Sequence, residues 1–183
     1  MSKVIRFIPA AVFVVIAVFL FVSLGKDPQE LPSALVGKPM PEFELLVLQA
    51  DGNSEPQTLS KAELVGEPFL LNIWATWCQT CLVEHPYLYE LSQQGVKILG
   101  VNYKDDANKA RNWLKKYKNP YAITVVDDKG RLGFDLGVTG APETFLVDAS
   151  GQIVYRHVGV VNQNVWLTHF APAFKQNTDE PSS

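Results

Sequence analysis

The chain has 183 residues, of which 47% are hydrophobic and 19% charged, and a formal net charge of −3. That length and balance fit one folded domain plus an appendage and exclude a chain that is disordered throughout. The mild acidity leaves no electrostatic footprint for nucleic acid, and two cysteines cannot build a disulfide framework, so burial of apolar surface has to hold the fold.

Lys3 and Arg6 precede an apolar stretch from Phe7 to Val22, extended by Ser23 and Leu24 and ended by Gly25-Lys26-Asp27-Pro28. With Val4 and Ile5 included, the stretch approaches the roughly 20 residues that cross a bilayer as a helix, and Pro9 sits near its start, where a helix tolerates proline. Basic residues ahead of the stretch favour a cytoplasmic N-terminus and place the rest of the chain across the membrane. A cleaved signal needs small residues before the cut. Ser23-Leu24-Gly25 matches that weakly, and the bulky Phe19-Leu20-Phe21-Val22 suits an uncleaved anchor. The expectation is an anchor over residues 1–25 and an exported remainder, in the periplasm if the cell has two membranes, where thiols are normally oxidised.

Residues 26–40 carry Pro28, Pro32, Pro39 and Gly37 and read as an extended tether, with the folded domain starting near Pro41. Phe43–Leu48 is a strand candidate, Asp51-Gly52-Asn53-Ser54 a turn, and Leu59–Gly66 a short helix capped by Ser60. The chain then alternates: strand Phe69–Trp74, helix Cys78–Gln93, strand Val96–Tyr103, helix Asp106–Lys118, strand Ala122–Val126. Such alternation implies parallel strands joined by right-handed crossovers. Thr144–Asp148 and Gln152–His157 flank Ala149-Ser150-Gly151 as a hairpin. Asn162–Phe174 reads as a terminal helix with Val165, Trp166, Phe170 and Phe174 facing inward, and residues 177–183 as a polar tail. A βαβ half followed by a ββα half is an α/β sandwich around a central mixed sheet.

The two cysteines stand together in Trp77-Cys78-Gln79-Thr80-Cys81, directly after an apolar strand and at the start of a helix. A helix N-terminus stabilises the thiolate, which is the reactive form, and a second thiol two residues on can resolve the mixed disulfide formed by the first. Cys78 is therefore the expected nucleophile and Cys81 the resolving thiol. A structural zinc site needs four ligands, and only His85, His157 and His169 are there to complete one, without paired-finger spacing, so no metal is expected. Covalent haem attachment requires a histidine where Leu82 stands. A structural bridge across so short a loop would constrain the unfolded chain little. Gln79, at the first helical position, brings a backbone donor near the Cys78 sulfur that a proline there would remove. Glu84, three residues beyond Cys81, and Glu143 are acid/base candidates, each balanced against an ordinary solvated role. Trp77 is expected to pack beside the disulfide and shield it, and Pro86 to kink the first helix, with no catalytic role for His85.

Trp74-Ala75-Thr76-Trp77-Cys78, Glu84-His85-Pro86, Gly100-Val101-Asn102-Tyr103-Lys104-Asp105-Asp106, Asn119-Pro120-Tyr121-Ala122, Gly137-Val138-Thr139-Gly140-Ala141-Pro142-Glu143-Thr144-Phe145 and Tyr155-Arg156-His157 together resemble the thiol:disulfide interchange proteins of cytochrome c maturation, the DsbE/CcmG family. The likeness runs from about Gly37 to about Phe174. It implies a thioredoxin-like fold, with a central mixed β-sheet flanked by helices and an N-terminal transmembrane helix. It also implies a single-pass inner-membrane protein whose periplasmic domain keeps the Cys-x-x-Cys-His motif of apocytochrome c reduced. The implied partners are apocytochrome c, the cytochrome c maturation machinery and a membrane electron donor of the DsbD type, with no cofactor beyond the Cys78–Cys81 pair. By the same resemblance Pro142 is the cis-proline beside the cysteines that, with Trp77, meets the client. Two departures stand out: Gln79 replaces the proline common between the cysteines, and Leu82 a common basic residue. Two other functions fit the residues, a general exported thiol oxidase and a non-catalytic apocytochrome-binding module.

Overall fold

Three stretches of the chain, Phe69–Trp74, Ile98–Tyr103 and Glu143–Val147, are buried at every position. A strand buried on both faces has to lie inside a sheet that is covered on each side. The structure, a computed structural model, describes residues 8–24, 35–50 and 55–175. In chain order the elements are α1 (Ile8–Leu24), β1 (Lys38–Pro39), β2 (Glu44–Leu46), β3 (Thr58–Ser60), β4 (Phe69–Trp74), α2 (Gln79–Gln93), β5 (Ile98–Tyr103), α3 (Ala107–Tyr117), β6 (Ile123–Asp127), α4 (Arg131–Asp135), β7 (Glu143–Val147), β8 (Gln152–Val158), α5 (Gln163–Val165), a π-helical turn (Trp166–Phe170) and α6 (Ala171–Lys175).

The chain divides into two units, Met1–Leu31 and Pro32–Ser183. In the first, α1 is a 17-residue helix without a charged side chain, exposed from Ile8 to Phe21. At about 1.5 Å per residue it is shorter than a hydrocarbon core of about 30 Å. No helix among the described residues is long and apolar enough to cross a membrane. Val4 and Ile5, counted in the expected span, lie outside the described residues, as do Asp51–Ser54 and the 177–183 tail.

In the second unit the sheet runs β1-β8-β7-β4-β5-β6, with β4, β5 and β6 parallel and β7, β8 and β1 antiparallel. Side chains alternate along β4. Phe69, Leu71 and Ile73 join a core with Leu99, Val101, Phe145, Leu132 and Leu136 on one face. Leu70 and Trp74 join Leu88 and Leu91 of α2, Ala110 and Leu114 of α3, and Phe170 on the other. Trp74 stacks with Tyr121 at 5.5 Å and lies 5.0 Å from Trp113. A methyl group at Gly100 would come within 2.8 Å of Tyr121 Cγ and 2.9 Å of Trp74 Nε1, so the bare glycine is what lets these rings lie on β5.

The structure corrects the sequence reading in four places. The fold begins before Pro41: Gly37 N donates to Ile153 O and Met40 N to Gly151 O, and Met40 is buried. Pro39 is tolerated because β1 is the sheet edge, where a missing donor is not missed. Leu59–Gly66 is not a helix. Leu59 lies in β3, paired with β2, and only Lys61–Glu63 makes a 3-10 turn, with Ser60 N and Oγ both donating to Glu63 Oε2 at 2.8 Å. Helix α4 is an addition to the sequence reading, and Gly133 sits inside it although glycine disfavours helices. That glycine is required by the Tyr103 ring, which a Cβ would approach to 2.4 Å. The terminal helix is broken by its π turn, just before Pro172 lacks the amide that an α-helix would use. α2, by contrast, runs on through Pro86.

Candidate active site

The apolar β4 ends at Trp74, and the chain turns back at once, Cys78 N donating to Ala75 O at 3.2 Å. Cys78 is the N-cap of α2 rather than its first residue: its backbone is extended, and its Sγ accepts from Cys81 N at 3.1 Å. Thr80 Oγ1 lies 3.5 Å from the same sulfur. The two cysteines form a disulfide with Cα atoms 5.4 Å apart. Cys78 is 5% exposed and Cys81 2%, so in the oxidised form the nucleophile is more covered than its place at the helix start implied. Trp77, half exposed, flanks the turn and donates its indole N–H to Lys104 O at 3.2 Å. The backbone donor that reaches Cys78 Sγ is thus Cys81 N–H, at the third helical position, and not that of Gln79.

Ala141–Pro142 is a cis peptide. Ile73 pairs with Glu143, so Pro142 enters β7 beside the end of β4 from which the cysteine turn departs, and Ala141 packs on the cluster that holds both sulfurs. The Pro142 carbonyl accepts from Gly159 N at 2.9 Å, so it is already occupied within the fold.

Glu84 lies one helical turn beyond Cys81 and is 1% exposed. Asn72 Nδ2 donates to its Oε1 and Val161 N to its Oε2, both at 2.9 Å. Asn72 also donates to Thr144 Oγ1 and accepts from the Tyr121 hydroxyl, each at 2.9 Å. Burial pushes the Glu84 carboxyl up to about 7, against the lowering effect of the Val161 and Asn72 donors. This leaves a buried carboxyl poised near neutrality one helical turn from Cys81.

The raised Glu84 pKa also bears on stability. Glu84 titrates near 4.5 in the unfolded chain and near 7 in the fold, so the native state holds its proton more tightly, and this contribution is complete below about 4.5 and lost as pH rises through about 7. The urea midpoint should therefore fall between these pH values, by the equivalent of about 3 kcal/mol at most, and Glu84→Gln should flatten that fall. An unaltered pH profile in Glu84→Gln would assign the titration to another group.

Glu143 does not join the site. Residues alternate faces along β7, and Glu143, opposite Ile73, points away from the face that carries Asn72, Thr144 and α2. It is fully buried, its Oε2 2.7 Å from Arg156 Nη2, while its Oε1 accepts from Thr139 N, Thr139 Oγ1 and Gly140 N. It anchors the loop before Pro142 instead of moving protons. His85 is likewise structural, bonded to Lys118 O and edge-on to Trp113 at 4.3 Å. Among the described residues no group of three or more histidine, cysteine, aspartate or glutamate side chains is placed to hold a metal ion.

Three partners escaped the sequence reading. Asp106 caps α3, accepting from Lys109 N, but Asp105 does something else. Its carboxylate accepts from Thr76 N and Oγ1 and from Asn102 Nδ2. Arg156 and Val161 become visible only once β7 and β8 are in register. The cue available beforehand was Asn72, polar in the middle of an apolar strand.

A mixed sheet with a disulfide at the N-terminus of α2 and a cis-proline beside it defines a thioredoxin-fold thiol–disulfide redox protein. Residues 35–171 match the Redoxin family. The chain is 49% identical over 183 residues to the thiol:disulfide interchange protein DsbE of Pseudomonas aeruginosa, covering 100% of this chain and 99% of that one. Identity to DsbE of Vibrio cholerae is 51% over 181 residues, 96% of each chain, and to DsbE of Escherichia coli K12 it is 46% over 187 residues, 98% of each. The pneumococcal exposed lipoprotein thioredoxin Etrx1 of Streptococcus pneumoniae superposes with a TM-score of 0.58 at 26% identity, over 72% of this chain and 99% of that one. The chain belongs to the DsbE family of thiol:disulfide interchange proteins, and Cys78-Gln79-Thr80-Cys81 is its Cys-x-x-Cys pair.

Proposed function

We propose that this enzyme is a membrane-anchored periplasmic reductant that reduces the Cys-x-x-Cys-His disulfide of apocytochrome c during cytochrome c maturation. The observation that carries this reading is the likeness to DsbE proteins along the whole chain, the N-terminal apolar segment included, together with the Cys78–Cys81 pair at the head of α2. The exposed, uncharged α1 favours an anchor, since the hydrophobic effect drives such a surface out of water. Leu82 in place of a basic residue, and the Glu84 carboxyl one turn on, both withhold extra stabilisation from the thiolate. A reductant needs that restraint, because a strongly stabilised thiolate makes an oxidant.

In the reduced enzyme the Cys78 thiolate attacks one client sulfur, forming the mixed disulfide and releasing the other client sulfur as a thiolate. The Cys81 sulfur, its proton passed to the Glu84 carboxylate, then attacks Cys78 Sγ and expels the client's second thiolate. Two electrons pass to the client, and the Cys78–Cys81 disulfide seen here is the product. A membrane donor of the DsbD type restores the dithiol, so no further cofactor is called for.

The test is trapping. Full-length Cys81→Ser in detergent, mixed with an oxidised Cys-x-x-Cys-His peptide, should accumulate a mixed disulfide through Cys78, and thiol alkylation in cells should find the wild-type pair mainly reduced. A pair found mainly oxidised in cells would reverse the direction of electron flow.

A further inference from the structure

The loop between β5 and α3 grips the turn that carries the nucleophile from two sides. From one, the Asp105 carboxylate accepts from Thr76 N at 2.6 Å and Thr76 Oγ1 at 2.8 Å. From the other, Lys104 O accepts the Trp77 indole N–H at 3.2 Å. The grip is itself braced, because Asp105 also accepts from Asn102 Nδ2 at 2.9 Å and from Asp106 N at 2.8 Å. Lys104 takes a positive φ of 47°, a conformation that a residue with a side chain adopts at a cost, and its amide is tied to Asp127 O. Burial would raise the Asp105 carboxyl, but the donors from Thr76, Asn102 and Asp106 outweigh it and hold the group below its ordinary value, so it stays an acceptor.

From this geometry we infer that Asp105 is a positioning residue of the interchange reaction: by pinning Thr76 it fixes the Ala75–Cys78 turn in the shape that closes the Cys78–Cys81 disulfide. The inference rests only on the interchange activity, whichever client is served. Closing the bridge holds Cys78 and Cys81 at one fixed separation, their Cα atoms 5.4 Å apart, whereas two unbonded thiols tolerate a wider range. A pinned turn therefore raises the effective concentration of one sulfur at the other and favours the disulfide over the dithiol. A merely structural carboxylate would stabilise both redox forms alike.

The equilibrium with glutathione, in which the dithiol and one oxidised glutathione give the protein disulfide and two reduced glutathiones, separates the two roles. In the full chain, Asp105→Ala should shift this equilibrium about tenfold toward the dithiol, equivalent to a potential about 30 mV less negative. Thr76→Val, which removes only the hydroxyl contact, should shift it about threefold the same way. Asp106→Ala, which removes the α3 cap, should lower the urea midpoint but leave the equilibrium within twofold of wild type. If Asp105→Ala does not fold, Thr76→Val decides. Values within twofold of wild type for every folded variant of Asp105 and Thr76 would overturn the inference.

Discussion

Cys78→Ser should lower the rate of interchange with a peptide disulfide by at least about 10³-fold, the scale on which enzymes lose turnover when a nucleophile is removed. The reason is local. Cys78 is the sulfur at the N-cap, where Cys81 N–H and the open end of α2 favour the anion, and Cys81 is the more deeply buried of the two. Removing Cys81 should act differently, because the first attack survives and the reaction stops at one mixed disulfide per chain. Single-turnover release of client thiol distinguishes the two variants. If Cys78→Ser retained more than a few per cent of the wild-type rate, Cys81 would have to be the attacking sulfur.

Arg156→Ala should cost about 3–5 kcal/mol of stability, the range seen when one partner of a buried ion pair is removed. Glu143 is fully buried and the Arg156 side chain 7% exposed, with both Nε and Nη2 on the carboxylate, so water cannot replace the lost guanidinium. Arg156 Nη2 also donates to Gly137 O, so the loop of residues 137–142 loses a second tether. Pairing the change with Glu143→Gln should recover part of the loss, since the stranded charge goes with it. Urea unfolding of the single and double variants measures both quantities. A loss below about 1 kcal/mol for Arg156→Ala would mean that the pair is solvated in a way its burial does not show.

Much of this arrangement was legible in the chain. β4 and β5 announced themselves as mainly apolar runs, α3 by its one-sided register of Ala110, Trp113, Leu114 and Tyr117, and the redox pair by its place at a strand-to-helix turn. What stayed hidden depends on register. Glu84 and Glu143 looked equivalent, each a few residues from a key position. Strand pairing then sends Glu143 to the far face of the sheet and brings Asn72 under Glu84. Lys38–Pro39 looked like tether because proline disfavours strands in general, and the exception at a sheet edge needs the edge to be known. Asp105 and Asp106 are adjacent acids before a helix, and either satisfies the rule for a cap. Only the position of Thr76, 29 residues earlier, tells them apart.

The bond from Val161 N to Glu84 Oε2 joins residues 77 positions apart, from the segment after β8 to the middle of the redox helix. The last stretch of the chain is therefore a lid on the acid and not an ornament of the sheet. Phe170 and Val161 close the same cluster that contains both sulfurs. A shorter chain ending at Val158 would keep all six strands of the main sheet and both cysteines. It would lose the Val161 donor to Glu84 Oε2 and part of the apolar cover over both sulfurs.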